Sequence, residues 1–517
     1  MESEPLVLGI DAGTSSLRAA LFDLTGAPVT ASDVPYEVRY PKPGWAEQHP
    51  EAWWTAMVRA VRQCVSAAAV SSERIVGLAV DSPCNVVLAR HNGMPLLDSI
   101  LWMDLRASEQ ARLITATHDP VLRYCGGDVP AEWPLPKALW LRQQLPSIWE
   151  QTDYVVDEMS WLTHKLTGNW VAGLNSLAVK WHYRPTADEH TEAGWPIRLL
   201  GAIGLDDLPM KVPHDVVPLG ASAGQLTPEA AQALALPAGI TVAMGGIDAY
   251  AGMVGIDALQ SGIVALITGT STCQLVQNDH SVFHAGLWGP FESAMLPGAW
   301  TLEAGQASTG GTVRWLLDKF GGDLATASNR YAQADALAAE VPPGAEGLTV
   351  LDFWQGSRTP VKDPLARGVI FGLTTAHGVG HLLRAVYEAT AFGNRHILET
   401  FASLGVPIGT IRACGGGTRS QLWLQILADV AGVPITLTAV DDAVAFGSAI
   451  CAAVASGHYA SLTEATSVMV RETVQIDPAS DTFEMYHEAY DRYRSLMTTL
   501  RDEFHRAGAV QLHQAMG

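Results

Sequence analysis

The sequence predicts an α/β protein built as two lobes, and three observations carry that prediction. Its 517 residues exceed what one ordinary hydrophobic core organises. Short apolar runs alternate with longer amphipathic stretches, the pattern of mostly parallel sheets covered by helices. A polar Gly-Thr-Ser turn between apolar runs begins at Gly13 and again at Gly269, 256 residues later. One such turn is ordinary hairpin chemistry, since glycine and serine are common turn formers. Two of them, about half a chain apart, point to a duplicated domain with a polar tip in each half.

In "LGIDAGTSSLRAALFD", Leu6 to Ile10 reads as a buried strand and Leu17 to Phe22 as its return partner around Gly13-Thr14-Ser15. "EAWWTAMVRAVRQCVSAAA" follows Pro50 and puts Trp54, Met57, Val58, Val61 and Val65 on one helical stripe. "RIVGLAV" (74–80) is a buried strand ending at Asp81. "LPAGITVAMGGIDAYAGMVG" gives a strand from Ile240 to Met244, a turn at Gly245-Gly246 and a helix opening near Asp248. The lobe boundary follows near Ile256 to Gly262, dividing the chain into 1–257 and 258–517.

Beyond it, Val264 to Ile267 and Cys273 to Val276 flank the second turn, Gly269-Thr270-Ser271. "IRACGGGTRSQLWLQILADVAGVPI" reads as strand, triple glycine, helix, strand, with Leu422, Ile426, Leu427 and Val430 on one helix face. Tyr486, Tyr490, Tyr493 and Leu496 recur at helical spacing in a closing helix packed back on a lobe. Pro and Gly around 341–346 mark a loop rather than a third domain.

Hydrophobic content of 48% with 16% charged residues excludes a disordered or fibrous chain. The formal net charge of −21 argues against a nucleic-acid surface, which needs Lys and Arg to neutralise phosphates. Any phosphate site must therefore be local, built from backbone N–H groups, a metal or a few placed cations. The six cysteines (64, 84, 125, 273, 414, 451) form no CxxC pair and read as reduced thiols. Met1-Glu2-Ser3-Glu4 is acidic and runs straight into a strand, and no apolar run approaches the roughly 20 residues of a membrane helix. A cytoplasmic location is expected.

Adjacent backbone N–H groups in a Gly-Thr-Ser turn can point at phosphate oxygens, with the hydroxyls as extra donors. Asp11, at the strand end beside the first turn, suits a hydrated Mg²⁺ bridging phosphates, and Arg18 adds a cation. For the first turn alone a plain hairpin is as good a reading; the second turn and Asp11 together favour phosphate. No GxxxxGK[ST] segment and no protein-kinase motif occurs. Gly415-Gly416-Gly417 lets a ligand touch backbone at a helix start, although such glycines also serve close packing. Asp248 at its strand end suits the acceptor of a proton from an attacking alcohol, or equally a helix cap. His280/His284 and His377/His381 have HxxxH spacing without the glutamate of the zinc-protease motif, and His381 reads as the start of a helix.

Taken together, "GIDAGTSSLRAALFD", "GWAEQHPEAWW", "ILWMDLRA", "GGIDAYAGMVG", "ITGTSTC", "CGGGTRSQLWLQILADVAG" and "AVAFGSAICAAV" resemble the FGGY carbohydrate kinases over nearly the whole length. "GVIFGLTTAHGVGHLLRAVYE" (368–388) fits that family's second signature, and "EWPLPKALWLRQQ" fits the first only in part, with Glu132 and Ala138 where other residues are usual. The resemblance implies a two-lobed actin-like ATPase (ribonuclease H-like) fold, with duplicated domains around a nucleotide cleft. It implies ATP and Mg²⁺ as cofactors. Asp248 would be the general base, Asp11 would organise the metal, and Thr14, Ser15, Arg18, Gly269 and Thr270 would hold the β- and γ-phosphates. Gly310, Gly416 and Ser420 would line the adenosine side.

Asp81, Ser82 and Cys84 of the loop Asp81-Ser82-Pro83-Cys84 would face the sugar with Asp104, Glu132, Trp133 and Asp248. Glycerol kinases carry Arg-Glu at this loop and xylulose kinases Met-His. The Asp here, with "NSLAVKWHYRP" and "LEAGQASTGG", is more similar to ribulokinases, whereas "GWAEQHPEAWW" is xylulokinase-like. A ketopentose such as ribulose or xylulose is the expected substrate. The alternatives are a polyol such as glycerol, erythritol or a pentitol, and a non-catalytic sugar-sensing protein on the same fold. The implied partners are a small sugar and MgATP, with no nucleic acid, no membrane, and a homodimer as the assembly the family admits.

Overall fold

The computed structural model describes residues 4–516, with side chains as far as Gly508. Met1, Glu2 and Ser3 of the acidic lead-in lie outside the described residues. The chain forms two compact units. The first comprises residues 1–259, 277–302 and 442–471, and the second 260–276, 303–441 and 472–517. They therefore depart from the contiguous halves 1–257 and 258–517: two later segments fold with the first unit because their apolar faces complete its core.

The first unit is built on a six-stranded sheet. Leu6–Ala12 pairs antiparallel with Ser16–Asp23, which pairs antiparallel with Pro28–Pro35. On its other side Leu6–Ala12 runs parallel to Ile75–Ser82, which runs parallel to Thr241–Ile247, and Ser222–Gln225 closes the edge antiparallel. The apolar runs form strands buried on both faces: Leu6, Val7, Leu8, Ile10, Leu78 and Val80 are almost wholly inaccessible.

One face is covered by the helix Pro50–Ala68, started by Pro50 in its first turn and by His49, whose Nδ1 accepts from the Glu51 N–H at 3.2 Å. Its buried residues are Trp53, Ala56, Met57, Ala60, Val61 and Cys64. Of the expected stripe, Met57 and Val61 are therefore buried, and Trp54, Val58 and Val65 only flank it. The face turns by one residue because the small Ala56, Ala60 and Cys64 let the helix lie closer to the strands.

Helix Ala443–Ala455 packs against the first strand as closely as backbone allows. A Cβ on Gly9 would stand 1.8 Å from the Ala445 carbonyl oxygen, and one on Gly447 would stand 1.8 Å from that of Ala251. Glycine is required at Gly9 by this approach, and at Gly447 by the equally close approach of helix Asp248–Gly255.

The second sheet has seven strands, in the order Trp288–Glu292, Trp300–Gln306, Thr272–Asn278, Gly262–Thr268, Ile408–Gly415, Ile435–Thr438, Glu472–Ile476. Gly262–Thr268 pairs antiparallel with Thr272–Asn278 and parallel with Ile408–Gly415. Ile435–Thr438 continues parallel, and Glu472–Ile476 closes the edge antiparallel. Apart from the additional edge strand Trp288–Glu292, this repeats the first sheet: a hairpin with a third strand on one side, then two parallel strands and an antiparallel edge.

Helix Gln421–Ala431 buries Trp423, Leu424, Ile426, Leu427 and Val430, with Leu422 only half-buried at the margin of the expected face. The tyrosines of helix Phe483–Thr499 do pack inward: Tyr493 donates to Asp352 Oδ1 at 3.0 Å and Tyr490 to Glu399 Oε2 at 2.6 Å. His381 lies in the first turn of helix Val379–Ser403 and accepts from the Gly378 N–H at 3.1 Å. Among the described residues no helix is long and apolar enough to cross a membrane.

Candidate active site

Strand register assembles the acidic end of the first sheet. Asp11 pairs with Asp81 across the parallel strands, and Ile247, the residue before Asp248, pairs with Ser82. Three adjacent strands thus bring carboxylates to one end of the sheet, at the carboxyl ends of its strands, the place where open α/β sheets bind ligands. The glycines Gly245 and Gly246 are not the expected turn. Both lie within the strand Thr241–Ile247, where a Cβ on Gly245 would meet the Val80 carbonyl oxygen at 1.9 Å. Asp248 is the first residue of helix Asp248–Gly255 rather than its cap, which is Ile247, and its Oδ1 accepts from the Ala249 N–H at 2.7 Å. It is half-buried.

The helix Ala443–Ala455 supplies two partners that motif reading passed over. Asp442, its cap, takes Arg18 Nη1 on Oδ2 at 2.8 Å, and Ser448 donates to Asp81 Oδ2 at 2.5 Å. Asp81 is fully buried and its Oδ1 has no hydrogen-bond partner. Burial, with the neighbouring charges of Asp442 and Asp248, pushes the Asp11 carboxyl from 3.8 up to about 7, against the charge of Arg18. Burial and Asp11 hold the Asp81 carboxyl well above the ordinary range. Such an end repels an anion unless a cation accompanies it. Its all-oxygen donor set and the unpartnered Asp81 oxygen fit a hard divalent ion. Among the described residues no group of three or more His, Cys, Asp or Glu side chains forms a ligand cage.

The first turn is braced from several sides. Trp102 Nε1 donates to Thr14 Oγ1 at 3.0 Å, Gln48 Nε2 to the Thr14 carbonyl at 2.8 Å, and the Tyr36 hydroxyl to the Gly13 carbonyl. Thr14 thus keeps its own hydroxyl proton to donate, and Ser15 is exposed.

The residues expected to face a sugar divide in two. Asp104 is sealed: its Oδ1 accepts from Arg106 N–H and Nε, and its Oδ2 from the Ala46 N–H and Arg106 Nη2. Ser82 is buried, donating to the Pro83 carbonyl at 3.0 Å, and the buried Cys84 thiol lies 3.5 Å from the Ser176 hydroxyl. Trp133 is buried beside Trp288 and Phe291, with Lys180 Nζ 4.9 Å above its ring. Glu132 stays half-buried, and its backbone carbonyl accepts from the buried Lys137 ammonium at 2.7 Å. Lys137, also missed by motif reading, donates to the Leu101 and Trp102 carbonyls as well.

The second unit brings its own candidates together. The Thr270 carbonyl accepts from the Thr309 and Gly311 N–H groups at 3.0 and 2.9 Å, tying the second turn to the start of helix Gly310–Phe320. A Cβ on Gly310 would stand 2.5 Å from the Gly269 carbonyl oxygen. Thr268 Oγ1 donates to the Cys414 carbonyl at 2.8 Å and accepts from the Gly417 N–H at 3.0 Å, which draws the triple glycine to the same sheet end. Gly415 holds φ +92°, Gly416 is exposed with open space around its Cα, and Ser420 caps helix Gln421–Ala431 through the Trp423 N–H at 3.1 Å.

Models of the N-terminal and C-terminal domains of the FGGY family of carbohydrate kinases match residues 6–255 and 264–456. The chain belongs to the FGGY family of carbohydrate kinases. An FGGY carbohydrate kinase domain-containing protein of Xenopus laevis is 32% identical over 95% of this chain and 96% of that protein. A ribulokinase of Geobacillus thermodenitrificans is 30% identical over 97% of this chain and 94% of its own. The crystal structure of a xylulose kinase from Rhodospirillum rubrum superposes with a TM-score of 0.85 at 29% identity, covering 97% of this chain and all of that one (100%). The kinase therefore has the two-domain α/β, actin-like ATPase fold, and ATP is the phosphate donor of its family.

Proposed function

We propose that this kinase transfers the γ-phosphoryl group of MgATP to a hydroxyl of a ketopentose, ribulose or xylulose, with Asp248 as general base. The carrying observation is the half-buried Asp248 at the mouth of a strand whose neighbours end in Asp11 and Asp81. A carboxylate there accepts the proton of the attacking hydroxyl. Asp11 and Asp81 are the residues that would hold Mg²⁺, whose charge offsets that of the phosphate oxygens. Thr14, Ser15, Arg18, Gly269 and Thr270 donate to the phosphates, and Gly310, Gly416 and Ser420 face the adenosine. Asp81, Ser82, Cys84, Glu132 and Trp133 shape the sugar site, whereas the Asp104 carboxylate is taken up by Arg106 and the Ala46 N–H. The ribulokinase and xylulose kinase relatives support a ketopentose.

ADP release measured with ribulose, xylulose, pentitols and glycerol tests this. Stimulation by a ketopentose is expected; stimulation by a polyol alone would reassign the substrate, and ATP turnover indifferent to every sugar would favour a sensor.

A further inference from the structure

Asp248 sits directly after an irregularity in its strand. The register of Thr241–Ile247 against Ile75–Ser82 shifts between Met244 and Ile247, so the last residues before Asp248 lose the regular ladder that fixes a strand end. The side chain of Asn175, in helix Leu174–Lys180, takes over that task. Its Oδ1 accepts from the Ile247 N–H at 2.9 Å, and its Nδ2 donates to the Ala294 carbonyl at 2.9 Å. Asn175 is fully buried, and it lies close against Gly246, where a Cβ would stand 3.3 Å from Oδ1. Asparagine offers an acceptor and a donor on one short planar group, and both are used against backbone on either side.

We propose that Asn175 is a positioning residue for Asp248, holding the Ile247 peptide so that the carboxylate one residue on stays aimed at the sugar hydroxyl. The inference rests on the reading of Asp248 as general base. An aspartate has only two side-chain torsions, so a displaced peptide at 247 displaces the carboxylate, and small misplacements of a reacting group are costly in rate.

Asn175→Ala is expected to lower kcat by about 10- to 100-fold while KM for ATP and for the sugar each move less than about twofold. It should also expose the Ile247 amide to hydrogen exchange while the strand Ile75–Ser82 stays protected. In an Asp248→Asn background the same substitution should cost less than about twofold in the residual rate, because the group it positions is gone. If Asn175→Ala does not fold, Asn175→Ser, which leaves a smaller void, is measured on the same three readouts with the same expected directions. A kcat near wild type, a change confined to KM, or an equal loss in both backgrounds would overturn the inference. A full loss of turnover in Asp248→Asn beside an unimpaired Asn175→Ala sinks this inference alone. Wild-type turnover in Asp248→Asn sinks the proposed function.

Discussion

The two sheets share a topology and end in opposite chemistry. The 256-residue offset between the Gly-Thr-Ser turns puts Ile267 where the first sheet has Asp11. The parallel-strand partner of Asp11 is Asp81, and that of Ile267 is Cys414. One backbone frame therefore presents paired carboxylates in the first unit and an apolar pair rimmed by glycine N–H groups in the second. Buried like charges are expensive and persist where chemistry uses them. The comparison teaches that the repeated fold supplies a place at the strand ends, and that a few side chains decide whether it favours a metal and a proton or a bare anion.

The largest expected effect comes from removing the base. Asp248→Asn should cut kcat by about 10² or more with sugar binding retained, as read by steady-state kinetics and calorimetry. Turnover near wild type would remove the first unit's distinctive role.

Making the neutral end resemble the acidic one should come next. Ile267→Asp is expected to raise the Kd for ADP, measured without magnesium, about tenfold through like-charge repulsion near the second turn. An unchanged Kd would take Gly269 and Thr270 out of the nucleotide site.

The converse change tests the strain at the acidic end. The folded Asp11 carboxyl titrates near 7, above its ordinary 3.8. Its contribution to stability is thus complete below about pH 4 and is lost as pH rises through 7. Asp81→Asn removes one repelling charge, so the ligand-free protein should gain about 2–4 °C in Tm at pH 8 and little at pH 5. Calorimetry at both pH values checks this, and a gain that grows on acidification would refute it.

The smallest effect belongs to Asp442→Asn. Its partner Arg18 is 42% exposed, so the lost pair should change stability by less than about 1 kcal/mol and fade with salt. Denaturant titration at low and high salt measures it.

Much of the acidic end was legible before any coordinates. Apolar runs that stop at Asp11, Asp81 and Asp248 announce strand ends, and a Gly-Thr-Ser between two such runs announces a hairpin; both are signals carried within a few residues of chain. The residues that complete the end were not. Arg18 and Asp442 are 424 residues apart, and Asp81 and Ser448 are 367 apart. The helix bearing Asp442 and Ser448 follows all but the last of the second unit's strands in sequence yet packs against the first strand of the chain.

By itself, then, the order of amino acids determined the elements, the duplicated turns, the acidic strand ends and the family. Tertiary structure alone decided which helix face is buried, that Gly245 and Gly246 continue a strand, that Asp104 is engaged by Arg106 and Ala46, and that Asn175 holds the peptide before Asp248. The physical reason is range. Periodicity and turn chemistry act over three or four residues, whereas backbone contact such as that of Gly9 on Ala445 exists only once the chain has closed on itself.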